Sequence, residues 1–153
     1  MKYFTSKWWF FDTYNNSLDN TKLEAVFDQY DQYVDSIKQH LPPLPKFFTQ
    51  SCGLHDHVIN SLNIGQKSVS LELIEPKDGL SQTLSITGVI ECSKVYDPEI
   101  YENFEHEDIG YHEVELDHES QALAISMICR TGAEITIICE LSELTVNLHT
   151  NSL

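Results

Sequence analysis

The chain has 153 residues, a length that fits one domain, and is 41% hydrophobic and 10% aromatic, enough for one core and too aromatic for a disordered chain. Nine Lys and Arg stand against 24 Asp and Glu, a formal net charge of −15, and the imbalance is local: residues 1–78 carry seven Lys and ten acids, residues 79–153 only Lys94 and Arg130 against 14 acids. Such a surface repels phosphate backbones and anionic membranes, which argues against direct nucleic-acid binding and membrane association, and no apolar run reaches the ~18 residues of a spanning helix.

The opening MKYFTSKWWFFDTY is aromatic-rich and reads as a first strand. Its Trp8-Trp9-Phe10-Phe11 cluster ends at Asp12, too short for a signal-peptide core and without a small-residue cleavage site after it, so a cytoplasmic protein is expected. Asp19 or Asn20 can cap a helix, and Thr21 with Glu24 has capping-box spacing. Leu23, Val26, Phe27, Tyr30, Val34, Ile37 and Leu41 then recur at helical spacing, with Asp28, Asp31, Asp35 and Lys38 off that stripe. The pattern predicts one amphipathic helix over 21–41, stopped by Pro42, Pro43 and Pro45. A short helical turn begun by Pro45 is expected next.

From Leu54 the texture becomes β. Period-2 alternation predicts strands over Val58–Ile64, through Val69, Leu71 and Leu73, and over Leu84–Cys92, with turns at Gly65-Gln66-Lys67-Ser68 and Pro76-Lys77-Asp78-Gly79. An acidic stretch, 93–110, interrupts the alternation, with room for a short helix through Glu99–Phe104. Strands resume at Tyr111–Leu116, Leu123–Cys129, Ile135–Cys139 and Leu144–Leu148, with Thr131-Gly132 as a tight turn. The expected fold is α+β: a single domain with a helical part, 1–53, packed on a curved, mostly antiparallel sheet or roll of about six to seven strands in 54–153.

Two short motifs carry a resemblance. The start Met1-Lys2-Tyr3-Phe4-Thr5 followed by Trp8, and Leu54-His55-Asp56 opening the β-rich half, resemble an uncharacterised bacterial family of unknown function whose members begin MKYFT and carry LHD before a hairpin. The resemblance covers the first strand and the 54–92 region and implies no catalytic residue. In general type, small acidic proteins with such a β-half look like immunity proteins of bacterial toxin systems.

Several constellations could carry chemistry. In His55-Asp56-His57 the two imidazoles would share a face on a strand, half of a zinc or iron site, with His112, Glu113 or His118 available as a third ligand. The structural alternative is that Asp56 caps a turn beside surface histidines. Cys52, Cys92, Cys129 and Cys139 have no CxxC or metal-finger spacing and read as reduced, structural thiols. No G-x-S-x-G and no phosphate-binding glycine loop occurs.

The acidic segment differs in kind. Asp97, Glu99, Glu102, Glu105, Glu107, Asp108, Glu113, Glu115, Asp117 and Glu119 stand with His106, His112 and His118, and no Lys or Arg falls between Lys94 and Arg130. One reading is a solvated surface. The other is a docking surface for a basic protein, with aromatic anchors drawn from Tyr96, Tyr101, Phe104 and Tyr111. The leading expectation is therefore an acidic, non-enzymatic protein-binding domain without a cofactor, most concretely an immunity-type inhibitor of a basic toxin such as a nuclease. The alternatives are a metal-dependent enzyme using His55 and His57, and a structural or assembly subunit.

Overall fold

A computed structural model describes residues 3–4, 20–50, 53–96 and 107–151. Among the described residues one α-helix, α1 (Asn20–Ile37), precedes eight strands: β1 (Val58–Ile64), β2 (Ser68–Ile74), β3 (Ser81–Thr87), β4 (Val89–Tyr96), β5 (Glu107–Asp117), β6 (Ala122–Cys129), β7 (Ala133–Glu140) and β8 (Val146–Thr150). All pairings are antiparallel, in one open sheet of order β4-β7-β6-β5-β1-β2-β3-β8. The α+β class holds, and the six to seven strands expected from the alternation are eight.

The extra strand comes from a break at Gly88. The apolar alternation through Leu84, Ile86, Ile90 and Cys92 reads as one strand, but Gly88 takes φ +72° and divides it into β3 and β4. A Cβ there would lie 2.7 Å from the Glu143 backbone, so the position accepts only glycine without a shift. The break also bends the whole sheet. β3 and β4 stand six places apart in the strand order, which is ~29 Å in a flat sheet. One intervening residue spans at most ~7 Å. The sheet must therefore curl until its ends approach, and Val89 N–H reaches the Lys67 carbonyl in the β1–β2 turn at 3.2 Å.

α1 buries Tyr30, Val34 and Ile37 and half-buries Val26, Phe27 and Tyr33, while Asp28, Asp31 and Asp35 face water, as its periodicity predicts. The helix is shorter than expected: it ends at Ile37 and closes in a 3₁₀ turn over Lys38–His40. Leu41, before Pro42, is already extended (φ −92°, ψ 145°), because a proline excludes the helical conformation from the residue before it. A second 3₁₀ turn, Lys46–Thr49, follows Pro45 and buries Phe48. The predicted cap at Asp19, the N-terminal strand apart from Tyr3 and Phe4, and the Glu99–Phe104 helix lie outside the described residues.

The helix sits where it does because β5 has a bare edge. β5 pairs with β1 only at Asp108 and Glu107, then diverges, leaving its later N–H groups without a strand partner among the described residues on that side. Two tyrosines of α1 fill the gap. Val114 N–H donates to the Tyr30 hydroxyl at 2.9 Å, and Leu116 N–H donates to that of Tyr33 at 2.8 Å. The Tyr30 O–H in turn donates to the Phe48 carbonyl at 3.4 Å, and burial raises its pKa above the usual tyrosine value. Tyr30→Phe keeps the ring but strands a buried N–H, so it should cost about 1–3 kcal/mol in urea unfolding, and Tyr33→Phe, at a site closer to water, less. Equal stability of the wild type and Tyr30→Phe would show that the hydroxyl bridge contributes nothing.

Candidate functional site

Beyond the register shifts at Val89/Glu91 and Ile109/Tyr111, the alternation of β4 to β7 gives this half of the sheet two unlike faces. Inward, the rows Val114–Ile125–Ile137–Cys92 and Leu116–Leu123–Cys139 are apolar and largely buried. Outward, Glu115, Ala124, Ile138 and Glu91 form one row across four strands, and Glu113, Ser126, Thr136 and Ser93 the next. Asp117, Ala122 and Glu140 make a third, and Tyr111, Ile128, Glu134 and Val95 a fourth. β5, β6 and β7 contain no Lys or Arg, and Lys94 of β4 turns away to Glu107 at 2.6 Å. The outward face is thus acidic without compensation from its own strands.

A groove of about 580 Å³ opens on that face, floored by Ala122, Ala124 and Ile138 and rimmed by Glu115, Asp117 and Glu119. The small side chains of β6 make the depression, and the β5–β6 turn supplies its acidic wall. Asp117 accepts the Ser120 hydroxyl (2.6 Å) and the Glu119 N–H (2.9 Å), and these bonds lower its pKa and keep it ionised. An apolar floor edged by three carboxylates, with His118 and Ser120 beside them, suits a cationic side chain whose alkyl stem lies along the floor.

The residues expected to form a docking surface are dispersed by the fold. Glu115 and Asp117 are exposed at the groove. Glu107 lies inside an internal network, bonded twice to Lys94 and accepting the Tyr96 hydroxyl at 3.0 Å. Asp108 is turned to Arg130 at 3.8 Å. Tyr111 and Glu113 are beneath the surface rather than on it. Tyr111 stacks on Phe4 at 4.9 Å, and Glu113, only 2% exposed, accepts the backbone N–H groups of Tyr3 (2.9 Å) and Phe4 (3.1 Å). Asp97, Glu99, Tyr101, Glu102, Phe104 and Glu105 lie outside the described residues. Glu91, Glu134 and Glu140 join the acidic face without having been foreseen. The signal for Glu134 and Glu140 was in the alternation of β7, where Ile135, Ile137 and Cys139 turn in and Glu134, Thr136, Ile138 and Glu140 turn out.

The His55-Asp56-His57 triplet forms a corner rather than a strand. Asp56 has φ +64°, and its carboxylate bridges His55 Nδ1 (3.0 Å) and the Arg130 guanidinium (3.0 Å). Asp56 N–H donates to the Ile109 carbonyl, and Ile109 N–H to that of His57, both at 2.8 Å. With Leu54 buried, the corner pins the helical part to the start of β5. His55 packs edge-on to Tyr111 (5.5 Å), on the opposite side of β5 from His112, so the fold separates these two imidazoles, whereas His57 lies near enough to His112 to disfavour its protonation. Among the described residues no three His, Cys, Asp or Glu side chains are grouped to hold a metal ion. Cys92, Cys129 and Cys139 are free thiols, and burial pushes Cys129 up to about 12 and Cys139 to about 11. Among the described residues no helix is long and apolar enough to cross a membrane.

No protein-family model matches the chain, and no curated protein matches it.

Asp56 separates two contributions to the corner. Its side chain is 45% exposed and that of Arg130 37%, so screening leaves their ion pair worth less than ~1 kcal/mol. The left-handed backbone adds roughly 1–2 kcal/mol for a residue with an ordinary Cβ. Asp56→Ala should thus destabilise more than Asp56→Gly in chemical unfolding. Equal losses would assign the corner to the ion pair alone.

Proposed function

We propose that this chain is an acidic, non-enzymatic protein-binding domain whose outward β4–β7 face receives a basic partner. The observation that supports this best is the groove rimmed by Glu115, Asp117 and Glu119, on a face whose strands direct no Lys or Arg outward. Like charges held together repel one another, and a cationic partner relieves that repulsion on binding. The same field steers association and makes its rate salt-dependent. The alanines and Ile138 supply the desolvated centre that a purely charged surface lacks.

The most concrete form of this reading is an immunity-type inhibitor that covers the active site of a basic toxin such as a nuclease. A nuclease holds phosphates with Lys and Arg, so an acidic face with an apolar floor is its physical complement. An assembly subunit could use the same surface, and an adjacent toxin-like reading frame would favour the inhibitor.

Two charge-matched variants test the surface. One carries Glu91→Gln, Glu115→Gln and Asp117→Asn; the other carries Asp28→Asn, Asp31→Asn and Asp35→Asn on the exposed side of α1. The partner is first recovered by cross-linking and affinity capture, then measured by surface plasmon resonance across salt concentrations. The sheet variant should associate on the order of tenfold more slowly at low salt, with a shallower salt dependence, and the helix variant near the wild-type rate. Equal effects would reduce the face to a source of bulk charge.

A further inference from the structure

His112 is fully buried on the inward side of β5, and neither of its ring nitrogens meets a hydrogen-bond partner. A neutral imidazole always carries one N–H, so this side chain holds an unsatisfied donor in the core. The Phe47 backbone lies close enough to oppose part of the effect of burial on the ring, without completing a hydrogen bond to either nitrogen. The Phe48 ring stands edge-on to the imidazole, with centroids 6.0 Å apart and planes at 77°. Phe48 belongs to the Lys46–Thr49 turn, and its carbonyl accepts the Tyr30 hydroxyl that holds α1 to Val114. His112 thus lies under the first link of a chain running from the 3₁₀ turn through α1 to the edge of β5.

Among the described residues the surroundings give a proton on this ring no counter-ion. From β6 the residue opposite is Met127, fully buried; along β5 the next inward side chain is Val114. The segment entering β1 brings His57, which disfavours a second positive charge and whose own Nδ1 is unpartnered. From α1 comes the Tyr30 hydroxyl, which donates to the Phe48 carbonyl and is held neutral by burial. The outward Glu113 is on the opposite face of β5, engaged by Tyr3 and Phe4.

We propose that His112 is a proton-operated latch: its protonation releases the Lys46–Thr49 turn and α1 from the edge of β5 while β5, β6 and β7 stay paired. Burial, opposed in part by the Phe47 backbone and reinforced by His57, lowers the closed-state pKa to about 4. Once the cover lifts, water restores the ordinary value near ~6.5. Opening is therefore independent of pH above ~6.5 and takes up a proton below it, so each further pH unit favours the open state about tenfold until pH nears 4.

Residue-resolved amide exchange between pH 7.5 and 5.5, corrected for intrinsic rates, tests the latch. Protection at Val114 and Leu116, whose N–H groups rest on tyrosine hydroxyls, should fall about tenfold over that range. Protection at Ile125 and Ile137, within the β5–β6–β7 ladder, should stay constant. In His112→Leu the fall at Val114 and Leu116 should vanish. Constant protection at those two amides, an undiminished fall in the variant, or a uniform loss across all strands would overturn the proposal. Should His112→Leu fail to fold, the wild-type His112 Cε1–H resonance decides: a midpoint below pH 5 supports the latch, and one near 6.5 overturns it.

Discussion

The parting of β5 from β1 after two residue pairs governs much of the architecture. A strand that leaves its neighbour exposes N–H and C=O groups that must find partners before they can be buried. Here the partners are phenol hydroxyls, which reach the β5 edge from a helix instead of from another strand. That solution explains why α1 carries tyrosines on its buried side, where leucine would pack as well but could not accept a hydrogen bond. It also explains why Tyr3, Phe4, Phe27, Tyr30 and Tyr111 form one aromatic cluster. The helix does not merely cover the sheet; it completes it.

The sheet then sorts the charge. Because every β4–β7 residue must face in or out, the apolar inward rows drive the intervening acids together on the other side. Glu113 is the exception that proves instructive: it lies in an outward row yet is buried, with its carboxylate engaged by two backbone donors. Its neighbours Glu115 and Asp117, beyond the reach of Tyr3 and Phe4, remain in water. One strand thus carries a structural carboxylate beside two that are open to a partner. Nothing in a run of alternate acids tells these uses apart.

What could be read from the sequence was whatever depended on local periodicity. The α1 stripe, the β1–β2 turn at Gly65 and the turn at Gly132 all follow from neighbours in the chain. Gly88 was missed because β3 and β4 keep a continuous apolar alternation, and only the approach of Glu143, 55 residues on, requires the kink. The Asp56–Arg130 pair was missed for the same reason, since its partners are 74 residues apart. Half of the acidic face was visible as a charged segment. The other half, Glu91, Glu134 and Glu140, joins it only through register.

The single residue between β3 and β4 also bears on the order in which the chain can assemble. β1–β2–β3 and β5–β6–β7 are meanders whose pairings are close in sequence, so each can form from local contacts. β4 must find β7 across 50 residues, from Val89 to Cys139, and β1 must find β5 across as many, from Val58 to Asp108; these are the slow searches. Once the β4–β7 pair forms, Thr87 is carried to the end of β7, where β8 begins six residues after Glu140. The β3–β8 ladder, separated by up to 68 residues between Gln82 and Thr150, then closes over a path no longer than a hairpin loop. Gly88 thus converts one of three long-range closures into a local one, and couples the two ends of the sheet that the β1–β5 pairing joins at its centre.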